Sequence, residues 1–298
     1  VQGLGRPWTR MAPVADAFIE GGVWEDAVKS IDSRYDATFT LSYFTNWDKS
    51  GNSEPYVIGA NGSQIKPGES YFSWVPESDD SKINYTGADG KLGFGEMAGR
   101  PDFVVAVNHI SRKKYPINWK LGIYRTDNAG GLGSKVNGGS PRPWNIAKFS
   151  EFYLIGAEAA VKLGKNQDAK TLVNVLRARA GKQTYCVNAR APFAADHSAE
   201  MVAATPDQIT IDFILDERSR EFWGEGYRWF DLVRTQTWKK RASVYHIAGS
   251  GYTDKDLQEV KRDIPDGYYI RPIPQGQLDG MEMTEEEKTA YQNPAYRN

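Results

Sequence analysis

The clearest periodicity lies in the second half of the chain. From Phe149, the positions Phe149, Phe152, Tyr153, Gly156, Ala157 and Ala160 recur at i, i+3, i+4, i+7, i+8 and i+11. That apolar or small stripe predicts an amphipathic helix. Gly164 follows where a helix end favours a left-handed residue. A second stripe, Ala169, Leu172, Val173, Leu176 and Ala180, predicts another helix that Gly181 ends in the same way. Two such helices joined by a tight turn form an αα-hairpin, and their small residues permit close approach. Thr205-Pro206-Asp207-Gln208 predicts a third helix start, with Thr as N-cap and Pro at the first helical position. Its apolar face would run Ile211, Ile214, Leu215 and Phe222, with Arg218 among them. A charge on that face needs a partner, and Glu158 or Glu221 would serve. Tyr227 to Thr237 predicts a further short helix, and Arg271 to Pro274 an extended segment.

Residues 1–148 read differently. They are rich in Gly, Asn, Ser, Asp and Pro, interrupted by short apolar runs such as Thr38 to Leu41 and Phe103 to Val107. Turn signals are dense, among them Asn61-Gly62, Pro67-Gly68 and Asp89-Gly90. Long irregular loops of this kind often carry function. The helical pair in residues 149–181 resembles one tetratricopeptide unit, which cannot bury its own face and needs stacking partners.

Composition narrows the function classes. The 298 residues are 40% hydrophobic and 25% charged, the profile of a globular protein. No apolar run approaches the ~18 residues of a membrane span. The charge balance, 37 basic against 38 acidic residues, leaves a net charge of −1 and no basic block, which speaks against nucleic acid. Cys186 is the single cysteine, so neither an intrachain disulfide nor a cysteine zinc site can be built. His109, His197 and His246 have no metal-ligand spacing. Nine Trp and sixteen Tyr are the exception to this ordinary profile. Such side chains pack on one side and stay wet on the other, as a sugar-stacking platform requires, although a mixed core uses them too.

The densest charged constellation is Asp216-Glu217-Arg218-Ser219-Arg220-Glu221, followed by Glu225, Arg228, Asp231 and Arg234. Glu217 and Glu221 share a helix face, and paired carboxylates are what glycoside hydrolysis requires. Interleaved arginines argue for ion-pair ladders, which hold carboxylates ionised instead of raising one to act as an acid. The cluster reads as scaffold. The chain has no nucleophile elbow, P-loop or dinucleotide fingerprint, and Asp79-Asp80 lacks the pattern of a calcium loop. No catalytic residue, metal or cofactor is expected, and a structural calcium is not indicated.

These segments also have a recognisable order. Phe149 to Ala160 with Leu163-Gly164-Lys165 resembles the "AEA…LG" helix of the SusD/RagB family. Leu176 to Gly181 is similar to its "VRARAG" helix end. Ile214 to Arg218, Arg220 to Phe222, Glu225-Gly226, Arg228 to Leu232 and Arg234 resemble its "ERxREFxxEGxRWFDLxR" signature. Ile273 to Gln275 and Gln292 to Pro294 match its closing segments, with Ala295 where Gly is usual.

The resemblance implies a mainly α fold of tetratricopeptide-like helical hairpins, with long irregular loops and a few short strands. Residues 1–298 would be the carboxyl-terminal part of such a protein, with 1–148 a loop-rich ligand-binding region and 149–298 a helical scaffold. The family's amino-terminal repeats, signal peptide and lipid-attachment motif are expected to lie outside this chain. The implied role is non-catalytic capture of glycan at the bacterial outer-membrane surface, from a lipid-anchored protein, for a SusC-like TonB-dependent transporter. A peptide-binding scaffold and a glycoside hydrolase are the rival readings. Ligand contacts are expected from the loop-rich part: Tyr43, Trp47, Tyr56, Trp74, Trp119 and Tyr124 as stacking rings, with Asp48, Asn52 and Arg125 bonding hydroxyls. Trp47 leads them, because Asn46 and Asp48 flank it in a polar setting.

Overall fold

A computed structural model describes residues 12–24, 31–45, 56–86, 93–118, 120, 145–186 and 191–297. Two compact units divide the chain: Val1–Glu225 with His246–Gln258, and Gly226–Tyr245 with Glu259–Asn298.

In the first unit a short helix, α1 (Ser33–Thr38), starts at Asp32, whose carboxylate accepts from the Arg34 N–H at 3.0 Å. A three-stranded sheet follows, built from β1 (Ser42–Phe44), β2 (Ser70–Val75) and β3 (Phe103–Ala106). The central strand β2 pairs antiparallel with β1 and parallel with β3. Because alternate strand residues face opposite sides, β2 sends Phe72 and Trp74 into one cluster and Val75 into another. The larger cluster is aromatic. Phe18, Trp24, Tyr35, Phe39 and Trp223 meet there, with Phe39 and Trp223 edge to face at 5.2 Å. Part of the tryptophan and tyrosine excess is therefore core.

The helical half begins with α2 (Phe149–Lys162) and α3 (Asn166–Ala180), the hairpin that the periodicity predicts. Gly164 is left-handed, with φ +71°. Gly181 is not: its φ is −73°, and it is glycine for another reason. A Cβ there would lie 2.6 Å from the backbone of His197 and Ser198, so the chain after α3 can pass only a bare backbone. The stripe of α2 also divides. Ala157 and Ala160 pack inward beside Ala169 and Val173 of α3. Phe149 and Phe152 point outward, 74% and 63% exposed, with Ile155 and Leu163 on the same outer face.

After α4 (Ser198–Ala203) comes α5 (Ile211–Glu221), which starts five residues later than a Thr205 cap predicts. Its N-cap is Thr210, whose hydroxyl accepts from the Phe213 N–H at 3.1 Å. Thr205 instead donates its hydroxyl to Asn174 of α3 at 2.7 Å, holding the end of α4 against that helix.

The second unit contains α6 (Tyr227–Arg234) and α7 (Trp238–Ala242), then short helical turns separated by extended chain. Leu232, Ile264 and Leu278 are its buried apolar side chains among the described residues. Much of its packing is aromatic. The Arg271 guanidinium lies 4.2 Å over the Trp229 ring, Trp229 meets Trp238 edge to face at 6.0 Å, and Trp238 meets Tyr269 at 5.8 Å.

Candidate ligand-binding surface

Tyr43, Tyr56 and Trp74 are the three nominated residues that the structure describes. Trp47, Asp48, Asn52, Trp119, Tyr124 and Arg125 lie outside the described residues. Tyr43, on β1, is half-buried, and its ring stacks on Phe72 of β2 at 4.1 Å and 14°. Burial pushes its phenol above the ordinary range, so it acts as a neutral hydroxyl. Trp74 is 7% exposed and packs in the aromatic cluster, offering solvent no ring face. Tyr56 is half-buried at the start of a two-residue strand, Val57–Ile58, that pairs with Gln64–Ile65. Tyr43 and Trp74 share a cluster around the sheet.

Two polar assemblies frame this region. On one face of the sheet, Asp102 accepts from Ser73 at 2.7 Å and Ser70 at 3.1 Å, while Arg100 clamps it through two nitrogens at 2.7 and 2.9 Å. Elsewhere Asp80 accepts from Tyr85 at 2.7 Å and Asn108 at 2.7 Å, with His109 Nε2 at 2.9 Å. Tyr85 stacks on His109 at 4.6 Å. Burial lowers the His109 pKa despite the neighbouring Asp80 carboxylate. Lys114 is buried nearby and donates to the carbonyls of Gly93 and Asp254 at 3.2 and 3.3 Å. Most of these groups pair with one another, while Asn108 Oδ1 and His109 Nδ1 are buried without a hydrogen-bond partner among the described residues. No cluster of three or more His, Cys, Asp or Glu able to hold a metal occurs among the described residues.

The carboxylates of α5 form the strongest electrostatic feature. Glu217 is 0% exposed, with Arg34 at 2.8 Å, Arg220 at 2.9 Å and Arg177 at 3.3 Å. Burial alone would raise its pKa, but the three guanidinium groups overcome that and hold it far below the carboxylate range. Glu221 is also buried and depressed: burial opposes ionisation, while hydrogen bonding from Arg179 and the charge of Arg34 favour it. Arg218, which needed a partner, sits 4.0 Å from Glu151 of α2 and 5.2 Å over the Phe222 ring. A general acid must keep its proton near neutral pH. Neither glutamate does.

Every ligand contact expected from the sequence falls in residues 1–148. None is expected in the second unit, where Tyr268 and Tyr296 stack nearly parallel, 5.6 Å apart at 13°. Their nearness is not visible locally, because they are 28 positions apart.

Comparison with known proteins was decisive for residues 14–296, which match the model of the SusD family. The chain belongs to the SusD family. A SusD-like protein of Formosa agariphila is 35% identical over 97 residues, a match covering 30% of this chain and 16% of that protein. A solved SusD-like protein of Bacteroides fragilis NCTC 9343 aligns over 96% of this chain and 45% of its own, at 14% identity and a TM-score of 0.38. The matched region is thus well under two thirds of either relative. Within the SusD family, the helical hairpin, short strands and irregular loops described above are the expected fold class.

Proposed function

We propose that this chain is part of a non-catalytic glycan-capture protein, held at the bacterial outer-membrane surface by a lipid anchor on the full-length protein. It would pass oligo- or polysaccharide to a SusC-like TonB-dependent transporter. Membership of the SusD family over residues 14–296 is the observation that carries this reading. One further feature supports it: the one paired-carboxylate candidate for hydrolysis is locked in ion pairs. No helix among the described residues is long and apolar enough to cross a membrane. In this reading Trp47, Asp48, Asn52, Trp119, Tyr124 and Arg125 contact the ligand together with Tyr43 and Tyr56, while Trp74 is packed in the aromatic cluster.

The test is affinity gel electrophoresis of the chain through amylopectin, xylan and laminarin. Retardation in at least one gel, reduced in Trp47→Ala, is the expected result. Reducing-sugar release that disappears in Glu217→Gln would replace this reading with the hydrolase.

A peptide- or protein-binding scaffold is the second reading, favoured by the outer apolar face of α2. Pull-downs that recover a polypeptide from extracts, with no retardation in any gel, would favour it.

A further inference from the structure

Tyr268 and Tyr296 sit on two short helical turns, Asp266–Tyr269 and Pro294–Tyr296, that press together. The contact is unusually close: a Cβ on Gly267 would fall 2.1 Å from the Ala295 methyl, so only glycine fits opposite Ala295. Buried Gln292 braces the junction. Its carboxamide oxygen accepts from the Ile273 and Asn293 N–H groups at 2.8 Å each, and its nitrogen donates to the Ile273 carbonyl at 2.9 Å. Asn293 Nδ2 donates in turn to the Arg271 carbonyl. Both turns are therefore fixed before any ligand arrives.

What this bracing presents is a pair of near-parallel rings that does little for the core. Tyr268 is 44% exposed, Tyr296 is partly exposed, and neither hydroxyl has a hydrogen-bond partner among the described residues. The rim is polar, with the Asp266 carboxylate 91% exposed and Lys239 facing it at 3.9 Å. Two rings inside a charged rim form a small patch. The core of a protein interface is instead broad and depleted of charge. Fixed, half-wet aromatic rings with free hydroxyls suit a ligand that has a C–H face and an edge of hydroxyl groups.

We propose that Tyr268 and Tyr296 form a glycan-contact platform made by residues of the second unit alone, which stacks neutral pyranose rings. The proposal rests on the glycan-capture reading above. The test uses the full chain in the same amylopectin, xylan and laminarin gels, comparing wild type, Trp47→Ala, Tyr268→Ala/Tyr296→Ala and Tyr268→Phe/Tyr296→Phe. The double alanine variant is expected to bind about 5- to 30-fold more weakly, the range of losing one or two stacked rings. The double phenylalanine variant keeps the ring faces and should retain most binding. Unchanged thermal unfolding of both variants checks that they fold. Wild-type retardation on all three gels by the double alanine variant, with loss in Trp47→Ala, overturns the platform and leaves the glycan reading standing. No retardation of wild type in any gel overturns both. Tyr268→Ala alone is the fallback variant, since its exposed ring can be removed without opening the Gly267–Ala295 contact.

Discussion

Three guanidinium groups converge on the Glu217 carboxylate, so neutralising it leaves several buried cations without their counter-charge. Glu217→Gln is expected to destabilise the first unit by roughly 3–5 kcal/mol, measured by urea unfolding at neutral pH. A loss below about 1 kcal/mol would mean that the cluster is screened by solvent. Glu217 and Glu221 are both depressed below the ordinary 4.5 in the folded state. The stability they contribute is therefore complete above that value and is lost as pH falls through their lowered folded values. Lys114 has the opposite charge. Burial brings its folded pKa from 10.5 down to about 8, against the pull of Asp254 and Asp80. Between those values the unfolded chain binds more protons, so stability should rise with pH, by up to about 3 kcal/mol. Lys114→Met should flatten that rise in unfolding curves taken from pH 7 to 10. An identical slope in wild type and variant would acquit Lys114.

Among the elements, α2 was legible in its length and ends but not in its orientation. Helical periodicity is local, and it places α2 and α3 almost to the residue. Which side of α2 faces inward depends on α3 and α5, and there the small Ala157 and Ala160 won over the larger Phe149 and Phe152. The start of α5 was missed for a similar reason. Thr205 has good capping chemistry, but Asn174 on another helix competes for its hydroxyl, and Thr210 takes the cap. The ion cluster on α5 was legible as scaffold from its interleaved arginines, whereas Arg34, which pairs with both Glu217 and Glu221, could not be found by spacing. Among the nominated ligand residues, Trp74 was not legible as packing: strand alternation turns it inward under the sheet. The outward face of α2 also makes a prediction at this scale. Phe152→Glu should lower the binding of an apolar fluorescent dye while shifting stability by no more than about 0.5 kcal/mol, as at an exposed site. A larger destabilisation would show that the ring contributes to packing.

At the scale of the whole molecule, the two units differ in what holds them. The first has three apolar clusters and the Glu217 ion network, while the second buries Leu232, Ile264 and Leu278 among its described residues and otherwise relies on half-wet aromatic contacts. Hydrogen exchange should show the amides of α2, α3 and α5 as the slowest in the chain, with those of α6 and α7 opening first. Equal protection in both sets would mean that the aromatic ladder stabilises as well as a core does. The Arg34–Glu221 ion pair joins positions 187 apart, at 3.2 Å. Closing a loop of that length costs entropy that grows only with the logarithm of its size. Evolution can therefore lengthen, shorten or exchange the loops inside this span at little energetic cost while the clasp at its base stays the same. That makes the clasp a fixed handle on which new loop sequences can be tried.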